Sequence, residues 1–280
     1  MACAIACMSG GFKGIFVHGV LCGLEETGLR ASAYASASSS TMPAAYAACG
    51  RVREMDLGIW TESDRILRLP GSTMSDVVLH NIRTLGPSLH EMLFAPGAAR
   101  FCIATSLVIT AEAAAITQSS AARRLGRRLL IDAARHNSSW PDAHLAARLF
   151  DSQSPDPALL LNAGNFDEVA YATTRMLHAW HIPATIAGLP YIDASYKCLC
   201  PALEMAELGY TEVIAIGTEP GPLRRDLFSA ETISRCQVIQ PEYNLEDAGV
   251  DFTRATPEGL ARVFEEGVRC GRAFGYRPRR

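Results

Sequence analysis

Residues Ala6–Gly50 read ACMSGGFKGIFVHGVLCGLEETGLRASAYASASSSTMPAAYAACG. An apolar run over 2–8 stops at Ser9-Gly10-Gly11, as a buried strand does when it enters a turn. Residues 14–26 have helical length, and Gly28 follows as a stop signal. Residues 29–35 read as a second short strand. The serine cluster 36–40 comes next, then an alanine-rich helix over 42–54 with Pro43 in its first turn. Strand–turn–helix, given twice in succession, predicts a layered α/β fold with a parallel sheet.

The rest of the chain extends that order. Residues 101–110 (FCIATSLVIT) suggest a central strand, and 111–150 are mostly helical in composition. Residues 158–163 suit either a short strand or a helix start. A helix over 166–180 should end before His181-Ile182-Pro183, and 189–193 (LPYID) leads into a turn. A helix over 201–209 stops at Gly209, and 211–217 (TEVIAIG) is a strand. Residues 236–240 read as a last strand. A final helix spans 256–274, with Thr256 as N-cap and Pro257 at its first position. Neither a linker nor a repeat interrupts 1–280, so one domain is expected. Residues 55–100 fit sheet architecture poorly and are expected to form a cap or lid over a site, with cap or lid helices making up part of 55–155.

Composition narrows the classes. A formal net charge of −3 gives no global basic field for nucleic acid. Basic residues gather at Arg123, Arg124, Arg127 and Arg128, and in the tail at Arg269, Arg272, Arg277, Arg279 and Arg280. Each cluster reads first as a solvated face or tail; the first could also meet a lipid headgroup or an acyl carrier protein. Nine scattered cysteines lack zinc-site spacing, and Cys198-x-Cys200 is too isolated for a metal. They read as small buried hydrophobes in a reducing compartment. No run approaches the roughly 20 apolar residues of a membrane span, and no secretory pattern opens the chain. A cytoplasmic protein with at most peripheral membrane contact is expected.

Two turns could carry chemistry. Ser9-Gly10-Gly11-Phe12-Lys13-Gly14 lies between strand and helix, where free N–H groups can hold a phosphate or a developing oxyanion. On these residues alone it serves equally as a structural turn. It is neither a Walker A loop nor a dinucleotide fingerprint. Ser36-Ala37-Ser38-Ser39-Ser40 stands where a strand meets a helix, as a nucleophile elbow does. Alone, a serine-rich turn is more often a loop or cap.

Together the two turns resemble the start of patatin-like phospholipases, which show G-G-G-x-[K/R]-G, a helix, a strand, then G-x-S-x-G. Gly10, Gly11, Lys13 and Gly14 match the first motif, with Ser9 in place of its first glycine. Ser38 falls at the nucleophile, with Ser36 and Ser40 in place of the flanking glycines. The family's second block, Asp-Gly-Gly or Asp-Gly-Ala after an apolar-aromatic strand, corresponds to Gly188-Leu189-Pro190-Tyr191-Ile192-Asp193-Ala194-Ser195. Ala194 departs from the family glycine. The resemblance covers 2–50 and about 160–220.

The resemblance implies a three-layer α/β/α fold with a mostly parallel sheet and a serine acyl hydrolase of lipase or esterase type. Its dyad would be Ser38 and Asp193, its oxyanion hole the amides of Gly10, Gly11 and Ser39, its elbow flanks Ser36 and Ser40. It implies no metal and no cofactor. The substrate would be a small-molecule acyl ester or lipid. The four departures keep two alternatives in view: an impaired lipid-binding scaffold, and an acyltransferase or thioesterase with a specialised substrate. A triad using one of the seven histidines has no informative sequence context. His18 reads as a packing or polar-face residue of the first helix.

Overall fold

The structure is a computed structural model and describes residues 3–221 and 236–276; the tail arginines Arg277, Arg279 and Arg280 lie outside those residues. Among the described residues eight strands form one sheet. They are β1 Cys3–Cys7, β2 Ala33–Ser36, β3 Arg100–Val108, β4 Leu145–Asp151, β5 Ala184–Ile186, β6 Leu189–Ile192, β7 Glu212–Ile216 and β8 Cys236–Ile239. The parallel core runs β3-β2-β1-β7-β8. At the β3 end, β4 pairs antiparallel along the outer edge of β3, β6 pairs antiparallel with its inner edge beyond the end of β2, and β5 closes a hairpin with β6.

The two faces of β1 explain the layers. Cys3, Ile5 and Cys7 face a large core built from helices α1 (Gly14–Glu26), α2 (Thr41–Ala48), α3 (Gly58–Leu67), α4 (Met74–Leu93) and others. Ala4 and Ala6 point the other way, with Ala33, Ala35 and Ala215, against Cys200, Ala202 and Met205. Small side chains on that face let the 198–200 segment approach closely enough for Ser9 N–H to reach Leu199 O at 2.8 Å. The chain continues with α5 (Ala111–Thr117), α6 (Ala122–Ala134), α7 (Ser139–His144), α8 (Phe166–Thr174), α9 (Ala202–Glu207) and α10 (Pro257–Ala273). Helices therefore flank a mostly parallel sheet on both faces. No described helix is long and apolar enough to cross a membrane.

Several boundaries differ from the sequence reading. The alanine-rich helix ends at Ala48 rather than 54, because Gly50 turns the chain at φ +66°. The second strand is 33–36, and α8 ends at Thr174 rather than 180. Leaving the helix there frees Arg175 O to accept Asp193 N–H at 3.0 Å. Within the expected helical stretch 111–150, residues from Leu145 onward are strand β4, held by the long antiparallel ladder to β3. Residues 158–163 form neither expected element; Leu160 makes one isolated bridge to Asp151. The final helix agrees with its expected caps: Thr256 Oγ1 accepts Gly259 N–H at 3.1 Å.

α1 and α10 cross backbone against backbone. Gly19 and Gly23 face Gly267 and Gly271, one turn apart on each helix. A Cβ at these positions would lie 2.2, 2.4, 2.4 and 2.3 Å from carbonyl oxygens of the opposite helix. Those atoms belong to backbone, so neither side can yield without separating the helices. Gly23→Val and Gly267→Val should each lower stability by about 1–3 kcal/mol or more. Gly275→Ala, where nothing lies within 4 Å, should leave the urea midpoint unchanged. Equal midpoints for all three variants would refute the close crossing.

Candidate active site

β2 and β6 lie on the same edge of β3 and run toward each other. Ser36 pairs with Ile103 from one direction and Ile192 with Ser106 from the other. The strand ends therefore meet over residues 104 and 105, and the next residues of both chains turn into one space. Ser38 and Asp193 are those residues. Ser38 Oγ–H donates to Asp193 Oδ2 at 2.9 Å. Ser38 is 1 % exposed and Asp193 is fully buried.

The gap leaves polar backbone to satisfy, since buried N–H and C=O groups need partners. Thr173, on the inner face of α8, fills it. Its hydroxyl donates to Ala104 O at 2.6 Å and accepts Ser38 N–H at 2.9 Å. Ser106 Oγ–H donates to Asp193 O at 2.8 Å. Sequence reasoning missed Thr173 and Ser106; a Thr-Thr pair after the apolar face of the 166–180 helix and a serine inside a β-branched strand were the available signals. Ser195 adds a third fixing contact, because its N–H donates to Asp193 Oδ1 at 2.8 Å and its hydroxyl to the same oxygen at 2.5 Å. One carboxylate oxygen is thus held by Ser195 and the other faces Ser38.

Ser38 sits at φ +57°, in the left-handed region. For a residue with a Cβ this costs on the order of 1–3 kcal/mol. The flanking serines do not share the strain. Ser40 is helical at φ −75°, and Ser36 belongs to the β2 ladder. Their hydroxyls secure the turn instead. Ser40 Oγ–H reaches Cys7 O at 3.1 Å and Ala37 O at 2.9 Å, and Ser36 Oγ contacts Thr41 Oγ1 at 3.2 Å.

The glycine turn lies beside this elbow. Gly11 also has φ +57°, and a Cβ there would fall 1.9 Å from Phe252 O, so glycine is required. Gly14 packs against Ser39, whose Oγ would be 2.7 Å from an added Cβ. Among the described residues no acceptor takes the N–H of Gly10, Gly11 or Ser39. Gly11 and Ser39 border the same cavity as Ser38; Gly10 does not. Lys13 is buried and ion-paired to Glu219 at 2.7 Å and Glu246 at 2.9 Å, which holds the turn in place.

The cavity is narrow, about 70 Å³, and mostly apolar, with Met42, Trp60, Met74, Val77, Ile82 and Trp180 in its wall. α3 and α4 supply much of that wall. Among the described residues, none of the hydrogen bonds of Ser38 or Asp193 involves a histidine. His18 is buried elsewhere, where its Nδ1 accepts Trp60 Nε1–H at 3.2 Å, and burial holds its imidazole down to about 4. Burial raises the Asp193 carboxyl from 3.8 to about 6, against hydrogen bonds from Ser195 and Ser38 that pull it down.

No family profile and no curated protein matches this sequence. Among solved structures, the chain is similar to the crystal structure of VipD from Legionella pneumophila, at 11% identity and a TM-score of 0.44. The match covers 96% of this chain and 66% of that one, so the chain spans slightly less than two thirds of that protein's length.

A raised carboxyl means that the native state holds a proton more tightly than the unfolded chain. Stability contributed by protonated Asp193 is present below 3.8 and is lost as pH rises toward about 6. That interval corresponds to on the order of 3 kcal/mol. Asp193→Asn keeps the shape and the two Ser195 bonds to Oδ1, turns the Ser38 contact round so that Nδ2–H donates to Ser38 Oγ, and removes the buried charge. It should match wild type in thermal stability near pH 3.5 and exceed it at pH 7. A variant less stable than wild type at pH 7 would contradict this account.

Proposed function

We propose that the chain is a serine acyl hydrolase that cleaves a lipid or related acyl ester through an acyl-enzyme on Ser38, with Asp193 as the base. The observation that carries this reading is the 2.9 Å hydrogen bond from a strained, buried serine to a buried carboxylate shifted toward neutrality. A structural serine has no need of the left-handed region, and a structural aspartate is cheaper to keep in water. Both costs are explicable as preorganisation of a nucleophile and its base.

In the reaction, Asp193 Oδ2 takes the proton of Ser38 Oγ while that oxygen bonds to the acyl carbonyl carbon. The carbonyl oxygen becomes an oxyanion and receives the N–H groups of Gly11 and Ser39, with Gly10 adjoining. Collapse of the tetrahedral adduct breaks the ester bond, and the proton on Asp193 leaves with the alcohol. Water then attacks the acyl-enzyme, giving its proton to Asp193, and the acid departs as Ser38 recovers its hydrogen. The apolar cavity receives the acyl chain. Ser195 keeps the second oxygen of Asp193 occupied, so proton transfer is confined to the first.

A fluorophosphonate probe should add mass to the peptide bearing Ser38 and to no peptide of Ser38→Ala. That variant should hydrolyse short-chain aryl esters at least about a thousandfold more slowly. Unchanged hydrolysis would sink the proposal. Because Asp193 must be a carboxylate to accept the proton, kcat/KM should rise with pH through about 6 and then level. A flat profile between pH 5 and 8 in wild type would remove Asp193 from the base role.

A further inference from the structure

Of the four serines in the elbow, three have committed hydroxyls. Ser36 Oγ–H donates to Thr41 Oγ1 at 3.2 Å, Ser38 Oγ–H to Asp193 Oδ2 at 2.9 Å, and Ser40 Oγ–H to Ala37 O at 2.9 Å. Ser39 is the exception. Its Oγ is buried and has no hydrogen-bond partner among the described residues. Buried hydroxyls nearly always find a partner, so one without calls for a reason. A serine within a helix can turn its hydroxyl back to the carbonyl three or four residues earlier. For Ser39 those residues are Ser36 and Ala35, which are extended in β2, so no helical carbonyl stands there.

The surroundings of that hydroxyl keep it free and place it beside the nucleophile. α1 starts at Gly14, where a Cβ would lie 2.7 Å from Ser39 Oγ and 3.3 Å from Ser39 Cβ. Gly14 has φ −57°, so its backbone does not demand glycine; the room for Ser39 does. The edge of the Trp60 ring stands at the same point, with Cη2 3.1 Å from that Cβ, and an apolar ring edge offers no acceptor. Ser39 borders the cavity together with Ser38, Gly11 and Phe12. The positive end of the α1 dipole lies here too and favours negative charge. Ser9 Oγ is also buried without a partner, but Ser9 does not border the cavity. Among the elbow and the glycine turn, only Ser39 combines an uncommitted hydroxyl with a place at the nucleophile.

We propose that the side-chain hydroxyl of Ser39 is a further catalytic group, a third donor to the oxyanion beside the N–H groups of Gly11 and of Ser39 itself. The inference rests on the acyl-hydrolase reading. As Ser38 Oγ bonds to the carbonyl carbon, the π pair of the C=O bond moves onto the carbonyl oxygen. Ser39 Oγ–H donates a hydrogen bond to that oxygen and keeps its proton. The contact weakens again when the double bond re-forms and the alcohol leaves. A donor matched to the charged oxygen stabilises the transition state more than the bound ester, so it acts on kcat rather than on KM. The missing partner of a buried hydroxyl is then supplied by the reaction. Ser39 Oγ is also the one donor of the three that a side-chain substitution can remove, because the others are backbone.

Ser39→Ala removes an oxygen that no described residue bonds, so its thermal midpoint should equal or exceed that of wild type. Its kcat on a short-chain aryl ester should fall at least about tenfold, with KM unchanged within about twofold. Its kcat/KM should still rise with pH through about 6, because Asp193 is untouched. On the thionoester of the same acyl chain, whose sulfur accepts hydrogen bonds weakly, the loss should shrink to about twofold or less. A trifluoromethyl ketone bearing that chain takes Ser38 Oγ onto its carbonyl carbon and holds a tetrahedral oxyanion. Its inhibition constant should weaken by the factor that kcat loses. Equal kcat and equal inhibition in wild type and Ser39→Ala would overturn the role of the hydroxyl and leave the dyad standing. A loss of kcat equal for ester and thionoester, or one that leaves ketone inhibition unchanged, would overturn it as well, since displaced packing moves those readouts in that way. A wild-type protein that forms no ketone adduct and hydrolyses neither ester would end the acyl-hydrolase reading itself, and the role of Ser39 with it.

Discussion

The site depends on the meeting of two strands end to end along one edge of β3. β2 arrives in parallel and stops at Ser36; β6 arrives antiparallel and stops at Ile192. A sheet edge cannot be left open in a buried core, because its N–H and C=O groups would lack partners. The chain closes the opening with side chains: Thr173 takes Ala104 O and Ser38 N–H, and Ser106 takes Asp193 O. The same atoms that repair the ladder aim Ser38 at Asp193. Position and stability are therefore one problem here, solved by one set of hydrogen bonds.

That arrangement concentrates unfavourable terms at a single point. Ser38 is held in a left-handed conformation, and Asp193 is a buried carboxyl that no cation among the described residues pairs with. Each alone is on the order of a few kcal/mol, comparable to a large share of a domain's net stability. The surroundings must be rigid enough to absorb them. Rigidity comes from the alanine face of β1 and β2, from the backbone contact of α1 with α10, and from Lys13 fixed between two glutamates. α1 begins at the glycine turn, so its glycine-mediated clamp onto α10 also fixes the amides of Gly11 and its neighbours.

Much of this was legible in the sequence where a local rule sufficed. The strand–turn–helix order over the first 50 residues gave the parallel sheet, and TEVIAIG and the Thr256-Pro257 cap were local signals that the structure follows. The elements that sequence reading misplaced depend on distant partners. LAARLFD has the alanine and leucine of a helix, yet it is a strand because β3 offers a free edge along its whole length. α8 stops six residues early because Asp193 N–H, far along the chain, takes the Arg175 carbonyl. Thr173 could not have been identified locally, since its role exists only once Ser38, Ala104 and α8 are assembled. The paired Gly-x-x-x-Gly spacings of α1 and α10 were visible but acquire meaning only as two helices in contact.

The serines at the elbow sharpen what such a turn requires. A flanking glycine is expected either for a positive φ or for lack of space. At Ser36 and Ser40 the first reason is absent, because one is extended in a ladder and the other helical. Only the crowding remains, and a hydroxymethyl group meets it. Having a hydroxyl then becomes useful. Ser40 ties the turn back to Cys7 at the end of β1, and Ser36 ties it forward to Thr41 at the start of α2. Glycines would leave the turn free to relax toward an ordinary conformation and release the strain at Ser38. Serines bind both shoulders of the elbow and leave the left-handed residue between them as the one that must remain strained.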